Sequence, residues 1–471
     1  MPTKRICATA HDAVADVPDG ASILVHSFGP PWAWPTDLLL ALRERGVRDL
    51  TVVCNTTSAG PSSLQVLAEK RQIRKLVCTY AILPVGPTPL SEQIRAGEIE
   101  LEDVPQGTLA ERVRAGGAGL GGFWTPVGVG TVVEEGKEVR EIDGRPMIFE
   151  RAIRADYAFV WAHRADPAGN LVYRRGSRNF GPAFATGART TIAEVQEIVP
   201  LGALDPEAIV TPGIFVERLV KTTQTWDAST VRMMLAMAGR SQAMEGRAVG
   251  ESALGLPPDL MAMRAAALLR DGEYVNLGIG LPTLVSNYVA GRDVTLHAEN
   301  GILGYGAFPA EGEEDIDLYN ASGQLVSPVP GTAYFDSTVS FAMARTGRIT
   351  SVVLGGFQVT PRGDLANWRI PSTGVGGIGG AMDLAAGAGR VIVLMFHREK
   401  DGTSKLVPEL TYPATALRCV KDVVTDLAYV QVERDGFVLR EVAPGLTVDD
   451  VRSATAAPLR VPDGVGEMQF G

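Results

Sequence analysis

One succession of elements occurs twice along this chain, and it limits the fold more than any other feature. Each copy reads as a helix, an Asp-Gly turn, a short buried strand, a loop rich in Gly or Pro, a second helix and a second strand. A threonine precedes the second helix of each copy, Thr36 and Thr283, and can cap it. The predicted helices and strands are 8–17, 22–25, 37–45 and 50–54 in the first copy, and 261–270, 274–277, 284–289 and 294–296 in the second.

Two strands that are joined through a helix cannot pair as a hairpin, so each copy predicts a parallel sheet. The duplication predicts an α/β fold of two similar α/β domains, each with a mainly parallel sheet. A length of 471 residues fits two or three domains. Residues 238–250 are small, polar and rich in Gly, without periodicity, as in a linker. We therefore expect a first domain at 1–236, a linker at 237–258 and a second domain at 259–471.

Charge and cysteine usage argue against several classes of function. A net charge of −10 argues against nucleic acid and against a polybasic membrane contact, although local amides can still bind an anion. The 4 cysteines and 5 histidines lack metal-ligand spacing, so we expect no metal. The N-terminus is not a secretory signal, and no apolar run is long enough to span a bilayer. Cysteines without disulfide spacing then predict a cytoplasmic protein.

A carboxylate follows the last strand of the second copy, in the stretch Leu296-His-Ala-Glu-Asn-Gly-Ile-Leu-Gly304. Glu299 stands at the carboxyl end of that strand, with Gly301, Gly304 and Gly306 after it. Glycine lets backbone N–H groups approach a ligand closely. The carboxylate can therefore attack a carbonyl while backbone amides hold the oxyanion. The alternative is a solvent-exposed turn, because Asn-Gly is a common turn dipeptide.

This stretch resembles the active-site signature of the family I coenzyme A transferases, in which the glutamate is the nucleophile. The sequence departs from that signature at Ala298, where the family usually has serine. Other segments resemble family motifs and occur in the family's order: 105–119, 125–131, 165–170, 275–282, 330–331, 363–368, 379–384 and 445–450. This order resembles the fused form of the family, in which both subunits of the bacterial transferases lie on one chain.

The resemblance implies an enzyme that moves CoA from an acyl-CoA similar to succinyl-CoA to a carboxylic acid similar to a 3-oxoacid. Glu299 would carry CoA as a glutamyl-CoA thioester, with no permanently bound cofactor, and residues 26–35 would cover it. A homodimer or homotetramer is expected. The expected pocket residues are His26, Ser27, Phe28, Gln106, Asn300 and Gly301, and the expected CoA-binding residues are Gly304, Gly306, Gly355, Gln358, Gly379 and Gly380.

One departure from the family's pattern concerns the loop after the first strand. The family has Gly-Gly-Phe there, whereas this chain has His26-Ser-Phe, followed by Trp32 and Trp34. His26 can pack beside these tryptophans, or His26 or Ser27 can donate to the oxyanion or hold a water. A held water would make the protein a thioesterase or a hydrolase of acyl-CoA carbon–carbon bonds. Loss of turnover would leave a non-catalytic acyl-CoA-binding protein.

A second departure lies at residues 320–323, which read Asn-Ala-Ser-Gly. Close relatives of the fused type carry a lysine after Asn-Ala. A cationic contact to CoA is therefore missing at this position, and the resemblance does not identify the substrate acids.

A dinucleotide-binding oxidoreductase is a further alternative. Residues 374–379 match the pattern G-x-G-x-x-G, and Glu399 lies about 20 residues further on. That fingerprint must follow a strand, whereas the residues before it, 367–372, include the interrupting Pro371. The sequence therefore supports this alternative only weakly.

Overall fold

The computed structural model describes residues 3–29, 31–60, 62–82, 86–226, 231, 255–310, 312–372, 374 and 376–470. Within these ranges each half of the chain forms one large sheet with helices packed against it. Residues 237–254 of the predicted linker lie outside the described residues, so the domain boundaries stay predictions. Among the described helices, none is both long and apolar enough to cross a membrane.

The first half contains twelve described strands and six α-helices. The strands are β1 (Arg5–Cys7), β2 (Ser22–Val25), β3 (Leu50–Thr56), β4 (Ile73–Tyr80), β5 (Glu100–Asp103), β6 (Gly122–Thr125), β7 (Val139–Ile142), β8 (Arg145–Arg151), β9 (Ala155–Ala165), β10 (Leu171–Val172), β11 (Ala188–Ile198) and β12 (Arg218–Lys221). The helices are α1 (Ala10–Val14), α2 (Thr36–Arg45), α3 (Gln65–Ala68), α4 (Pro89–Arg95), α5 (Gln106–Gly117) and α6 (Gly181–Thr186). The large sheet has the order β1-β12-β11-β9-β2-β3-β4-β5 and is parallel except where β10 pairs with β9, and β6-β8-β7 form a small antiparallel sheet.

The second half contains thirteen described strands and four α-helices. The strands are β13 (Glu273–Leu277), β14 (Val294–Ala298), β15 (Ile302–Tyr305), β16 (Pro328–Tyr334), β17 (Ser351–Leu354), β18 (Gln358–Val359), β19 (Leu365–Ala366), β20 (Arg390–Leu394), β21 (Val420–Val424), β22 (Ala428–Glu433), β23 (Gly436–Val442), β24 (Leu459–Arg460) and β25 (Gly466–Glu467). The helices are α7 (Pro258–Ala267), α8 (Ser337–Arg345), α9 (Ala381–Gly387) and α10 (Val448–Ala454). The large sheet has the order β16-β15-β14-β13-β17-β20-β21-β22-β23-β24, parallel from β14 to β21 and flanked by antiparallel pairs, while β25 pairs with β23 and β18 pairs with β19.

The predicted duplication is present in the structure. In the first copy β2 and β3 pair in parallel across α2, and in the second copy β13 and β14 pair in parallel. The connection of the second copy is a 3-10 helix, Leu281–Tyr288, rather than the predicted α-helix. Shorter 3-10 turns occur at Pro31–Ala33, Val132–Glu134, Arg175–Arg178, Pro206–Ala208 and Gly213–Phe215.

Both threonine caps that the repeat predicted are wrong. Helix α2 includes Thr36 and begins after Pro35, which offers no side-chain cap. Thr283 lies inside the 3-10 helix, and its hydroxyl donates to the carbonyl of Gly278 at 3.0 Å. Proline fixes φ near the helical value and lacks an N–H, so a proline before each threonine lets the helix start earlier than the threonine pattern indicates.

Charged side chains tie the two halves together. Arg174 of the first half donates to Asp315 at 2.6 Å and to Asp317 at 2.7 Å in the second half. The hydroxyl of Ser177 donates to Asp317 at 2.8 Å, and the Asp317 carbonyl accepts the backbone N–H of Gly176 at 3.0 Å. Because the Asp317 side chain is only 8% exposed, it depends on these donors in place of water.

We predict that Arg174→Ala weakens the contact between the halves. The substitution removes the arginine that pairs with Asp317 and leaves Asp315 paired with Arg175, which should cost about 2 kcal/mol of unfolding free energy. Arg164→Ala is the matched control, because Arg164 pairs with Glu197 on the surface, where both side chains are about half exposed. That pair should contribute less than about 1 kcal/mol. Equal midpoints of thermal unfolding for the two variants would contradict this role of Arg174.

Candidate active site

Glu299, Asn300 and Gly301 form the turn that joins β14 to β15. The backbone N–H of Gly301 donates to the carbonyl of Ala298 at 3.0 Å. Gly301 has a φ of +112°, and a Cβ at this position would overlap the carbonyl oxygen of Phe335. Only glycine therefore fits the end of this turn. Glu299 is 5% exposed, so the stretch is a turn, as Asn-Gly indicates, but a buried one rather than a turn in solvent.

The Glu299 carboxylate receives a hydrogen bond from the neighbouring strand. Asn276 of β13 donates from Nδ2 to Oε2 of Glu299 at 3.0 Å. Burial raises the pKa of Glu299, and the bond from Asn276 opposes that rise. The pKa values of Tyr80 and Tyr305 are raised by burial and further by the charge of Glu299, which sets both phenols within electrostatic range of the carboxylate.

Two of the glycines after Glu299, Gly301 and Gly306, have backbone N–H groups that are already bonded within the protein. The N–H of Gly301 is bonded to Ala298, and the N–H of Gly306 donates to the carbonyl of Ser327 at 2.8 Å. Gly304 lies within β15 and packs against Val329 and β16. These glycines serve the β15–β16 pairing, and the prediction that their amides hold the oxyanion is wrong in this conformation for Gly301 and Gly306.

Gln106, the first residue of α5, has a side-chain amide without a hydrogen-bond partner among the described residues. The backbone N–H of Gln106 donates to the carbonyl of Gly379 at 3.0 Å. Its side chain is fully buried, and among the described residues neither Nε2 nor Oε1 has a hydrogen-bond partner. Gly380 lies beside Oε1, and Gly379 lies so close to Tyr80 that a Cβ there would overlap the phenol oxygen. The structure therefore brings together Gln106, Gly379, Gly380 and Tyr80.

His26 is held entirely by protein groups. Trp161 donates its backbone N–H to Nδ1 of His26 at 3.3 Å, so the proton of the ring is on Nε2, which donates to Oδ1 of Asn179 at 2.7 Å. Burial lowers the pKa of His26 to about 4, which keeps the ring neutral. The ring packs edge-on against Tyr173 rather than beside Trp32 or Trp34. Both nitrogens are thus occupied, and the expectation of an oxyanion donor or water-holding His26 does not fit.

The rest of this loop reaches the Glu299 turn through Tyr319. The Tyr319 hydroxyl donates to the carbonyl of Phe28 at 3.4 Å, and the Tyr319 carbonyl accepts from Nδ2 of Asn300 at 2.7 Å. Ser27 accepts the backbone N–H of Asn55 at 3.1 Å. The loop of the first half and the Glu299 turn of the second half thus both contact Tyr319, and a site that the two halves share stays a prediction.

Two further predicted residues, Gln358 and Gly355, make hydrogen bonds of their own. The amide of Gln358 binds Thr411 and Tyr412 through both of its ends, which ties a loop and occupies its hydrogen bonds. Its predicted contact with CoA is therefore not supported. Gly355 follows β17, next to β13 in the sheet, and its carbonyl accepts from Asn367 at 3.1 Å.

Several polar residues of the site were not singled out from the sequence. Asn55, Thr79 and Asn276 lie at or near the carboxyl ends of β3, β4 and β13, and all are buried. Within the described part of the chain, both amide atoms of Asn55, the hydroxyl of Thr79 and Oδ1 of Asn276 lack partners. Buried polar groups normally have partners, so such atoms mark space for a ligand or water. The sequence pattern that could have identified these residues is a polar residue within or directly after an apolar strand.

In the described residues no strand leads directly into the dinucleotide fingerprint at 374–379, because the strand before it, β19, ends at Ala366. Gly376 instead forms isolated bridges with Ile82 and Arg369, and Gly377 packs against Tyr80. This segment of the second half therefore packs against the first half. No group of three or more His, Cys, Asp or Glu side chains in the described ranges is arranged to hold a metal ion.

Comparisons with known proteins identify the family and the fold. A family model described as Coenzyme A transferase matches residues 7–222 and 259–454. Human succinyl-CoA:3-ketoacid coenzyme A transferase 2, mitochondrial, is 42% identical over 97% of this chain and 90% of that protein. One of the two subunits of the 3-oxoadipate CoA-transferase of Pseudomonas putida is 49% identical over 42% of this chain and 94% of its own length. The solved acyl-CoA transferase of Escherichia coli O157:H7, 20% identical, has a TM-score of 0.80 over 99% of this chain and 96% of that one, which confirms the fold class.

The predicted cytoplasmic location is wrong by the same comparison. Full-length relatives from human, mouse and rat are all named mitochondrial. The four cysteines are free. Free thiols fit any compartment that keeps thiols reduced, so cysteine usage could not distinguish one such compartment from another.

We predict that Glu299→Gln stabilises the folded protein at neutral pH. Glutamine keeps the shape of the side chain and can still accept from Asn276. Because burial raises the pKa of Glu299 above 4.5, this group's stabilising contribution is complete below that value and is lost as pH rises through the raised pKa. The unfolding midpoint of the variant should exceed that of the native protein at pH 7.5 and approach it toward pH 4.5.

The matched control is Glu197→Gln, which changes a carboxylate that is about half exposed. Its midpoint should follow the native protein at both pH values. Calorimetry that finds Glu299→Gln less stable than the native protein at pH 7.5 would refute the claim that ionising Glu299 costs free energy in the folded state.

Proposed function

The chain belongs to the coenzyme A transferase family, and from this premise we propose that it transfers CoA through a covalent intermediate on Glu299. The observation that carries the proposal is the buried Glu299 carboxylate with an amide donor on one oxygen. A carboxylate removed from water is a better nucleophile than a hydrated one. Only one of its oxygens has to be held, which leaves the other to react.

The proposed transfer is a series of acyl substitutions. Glu299 attacks the thioester carbonyl of an acyl-CoA, the carbon–sulfur bond breaks, and CoA leaves as a thiolate from an acyl-glutamyl anhydride. The thiolate attacks the glutamyl carbonyl, which releases the donor carboxylate and forms the glutamyl-CoA thioester. The acceptor carboxylate attacks the glutamyl-CoA carbonyl and displaces CoA as a thiolate, which leaves a second acyl-glutamyl anhydride. The thiolate then attacks the acyl carbonyl of this anhydride, Glu299 leaves as a carboxylate, and the new acyl-CoA is formed.

Each of these steps develops negative charge on a former carbonyl oxygen. We assign the donor role to Nε2 of Gln106, because this buried side-chain amide has no partner among the described residues and its Oε1 lies beside Gly380. A preorganised donor of this kind typically contributes about 10²- to 10³-fold to the rate. The unpartnered amide of Asn55 and hydroxyl of Thr79 then serve the polar parts of the substrates.

For the substrates, we propose succinyl-CoA as the donor and a 3-oxoacid as the acceptor. The human relative is named for succinyl-CoA and a 3-ketoacid, and the Pseudomonas putida relatives are named for 3-oxoadipate. A carboxylic acid with a 3-oxo group is common to these names. A homodimer or homotetramer stays a prediction.

Hydrolysis of the thioester is the less favoured reaction. Hydrolysis needs a group that holds a water against the glutamyl-CoA thioester. The two loop residues considered for that task, His26 and Ser27, already have hydrogen-bond partners within the protein. Both ring nitrogens of His26 have protein partners, and the Ser27 hydroxyl accepts from the backbone of β3. Burial of Glu299, which is 5% exposed, limits the access of water to the intermediate and so protects it from hydrolysis.

We predict that Glu299→Ala abolishes transfer, with a loss of several orders of magnitude in kcat, because a nucleophile cannot be replaced by binding alone. The assay follows a new acyl-CoA formed from succinyl-CoA and a panel of acids with and without a 3-oxo group. Glu197→Ala, on the surface, should keep native activity.

Mass spectrometry of the native protein incubated with succinyl-CoA alone should find the mass of CoA on the Glu299 peptide. Near-native turnover in Glu299→Ala would refute the covalent mechanism. Release of free CoA at the full rate without any acceptor would favour the hydrolase.

A further inference from the structure

Asn276 presents only one end of its amide to its neighbours. Its Nδ2 contacts Oε2 of Glu299 at 3.0 Å, Nδ1 of His297 at 3.1 Å and the His297 carbonyl at 3.3 Å. Its Oδ1 has no partner in the described part of the chain. A rotation of the amide by half a turn would place Oδ1 against the Glu299 carboxylate, where two acceptors repel. The activity of Glu299 therefore depends on what holds this amide in place.

His297 is the group that can hold it. Asn276 and His297 are directly paired residues on the parallel strands β13 and β14. On the other side of the ring, Nε2 of His297 lies 2.9 Å from the hydroxyl of Ser340, and the ring stacks on Phe335 with planes 9° apart. Burial lowers the pKa of His297 to about 3, so the ring is neutral and carries a single N–H.

The tautomer follows from the partners. The Nδ2 group of Asn276 can only donate, so Nδ1 of His297 is the acceptor and the proton is on Nε2, which donates to Ser340. In the rotated amide, Oδ1 of Asn276 would face the lone pair on Nδ1 of His297 as well as the Glu299 carboxylate. The acceptor at Nδ1 therefore disfavours this rotation. Stacking on Phe335 holds the plane of the ring, the Nδ1 acceptor of the ring holds the amide, and the amide holds one oxygen of Glu299.

We propose that His297 is a positioning residue for CoA transfer, which acts through Asn276 by holding its amide in the orientation that donates to Glu299. This inference rests on the proposed role of Glu299 as nucleophile. His297 is 1% exposed. We propose no contact between its ring and a substrate. Its loss should change how Glu299 reacts and ionises, and should leave the affinity for the acyl-CoA unaffected.

The test uses three variants of the full chain. His297→Phe keeps a flat ring against Phe335 but removes the acceptor, and its kcat should fall roughly 10- to 100-fold with KM within about threefold, as for a misoriented reacting group. His297→Gln can offer Oε1 to Asn276 and should keep kcat within about threefold of native. Ser340→Ala is the matched control, because it removes the Nε2 partner and leaves the Nδ1 acceptor.

The pH profile separates positioning from a general structural effect. The titratable side chains that face Glu299 in the described residues are Tyr80 of β4, Tyr305 of β15 and His297, all uncharged at neutral pH. Loss of the Asn276 donor raises the pKa of Glu299, so the acid limb of kcat should move to higher pH in His297→Phe. It should stay at its native position in His297→Gln and Ser340→Ala.

A double-mutant cycle tests the route through Asn276. If His297 acts through Asn276, the double variant with Asn276→Ala and His297→Phe should be no slower than Asn276→Ala alone. Native kcat and a native pH profile in His297→Phe, equal impairment in His297→Gln, or additive losses in the double variant would each overturn the inference. If His297→Phe does not fold, His297→Leu, which also lacks an acceptor for Asn276, takes its place in the same comparisons. An active Glu299→Ala would instead overturn the proposed function itself.

Discussion

A carboxylate buried where the two halves meet imposes the strictest condition on this structure. Removing Glu299 from water costs free energy that only fixed donors offset, and Asn276 supplies one from the adjacent strand. That donor is in reach because β13 and β14 pair in parallel with Asn276 opposite His297. The turn after β14 can pass beneath the Phe335 carbonyl only because residue 301 is a glycine. Strand register, turn conformation and reactivity are therefore parts of one arrangement.

The first half completes that arrangement only if the halves stay closely packed. Asp383 of α9 accepts the backbone N–H of Gly107 at 2.8 Å, which caps α5 from the other half and holds the end that carries Gln106. Arg174 joins Asp315 and Asp317 next to the Asn300 turn. An amide such as that of Gln106, left without a partner in the described residues, is costly to bury. Contacts across the interface offset this cost and keep the donor available.

The sequence predicted the strands well because their cause is local. Apolar, β-branched runs after polar turns placed β2 and β14 within two residues of their observed ends. It failed where a partner distant in the chain decides the outcome. The expected threonine caps did not account for the preceding prolines, and the glycine amides assigned to an oxyanion were taken by β-sheet and turn hydrogen bonds. His26 was left open between packing and chemistry, since its partners Trp161 and Asn179 lie more than a hundred residues away.

By itself the sequence determined the α/β class, the duplication and the position of Glu299 at the end of a strand, because hydrophobic periodicity and turn residues act over a few neighbours. Only the tertiary structure decided which groups surround that carboxylate. Asn276, Tyr80 and Gln106 come from three different strands or helices, and their relation to Glu299 depends on strand order and on the packing of one half against the other. Hydrogen bonds and burial, which set the pKa of Glu299 and the tautomers of His26 and His297, arise from those long-range contacts and have no local pattern in the chain.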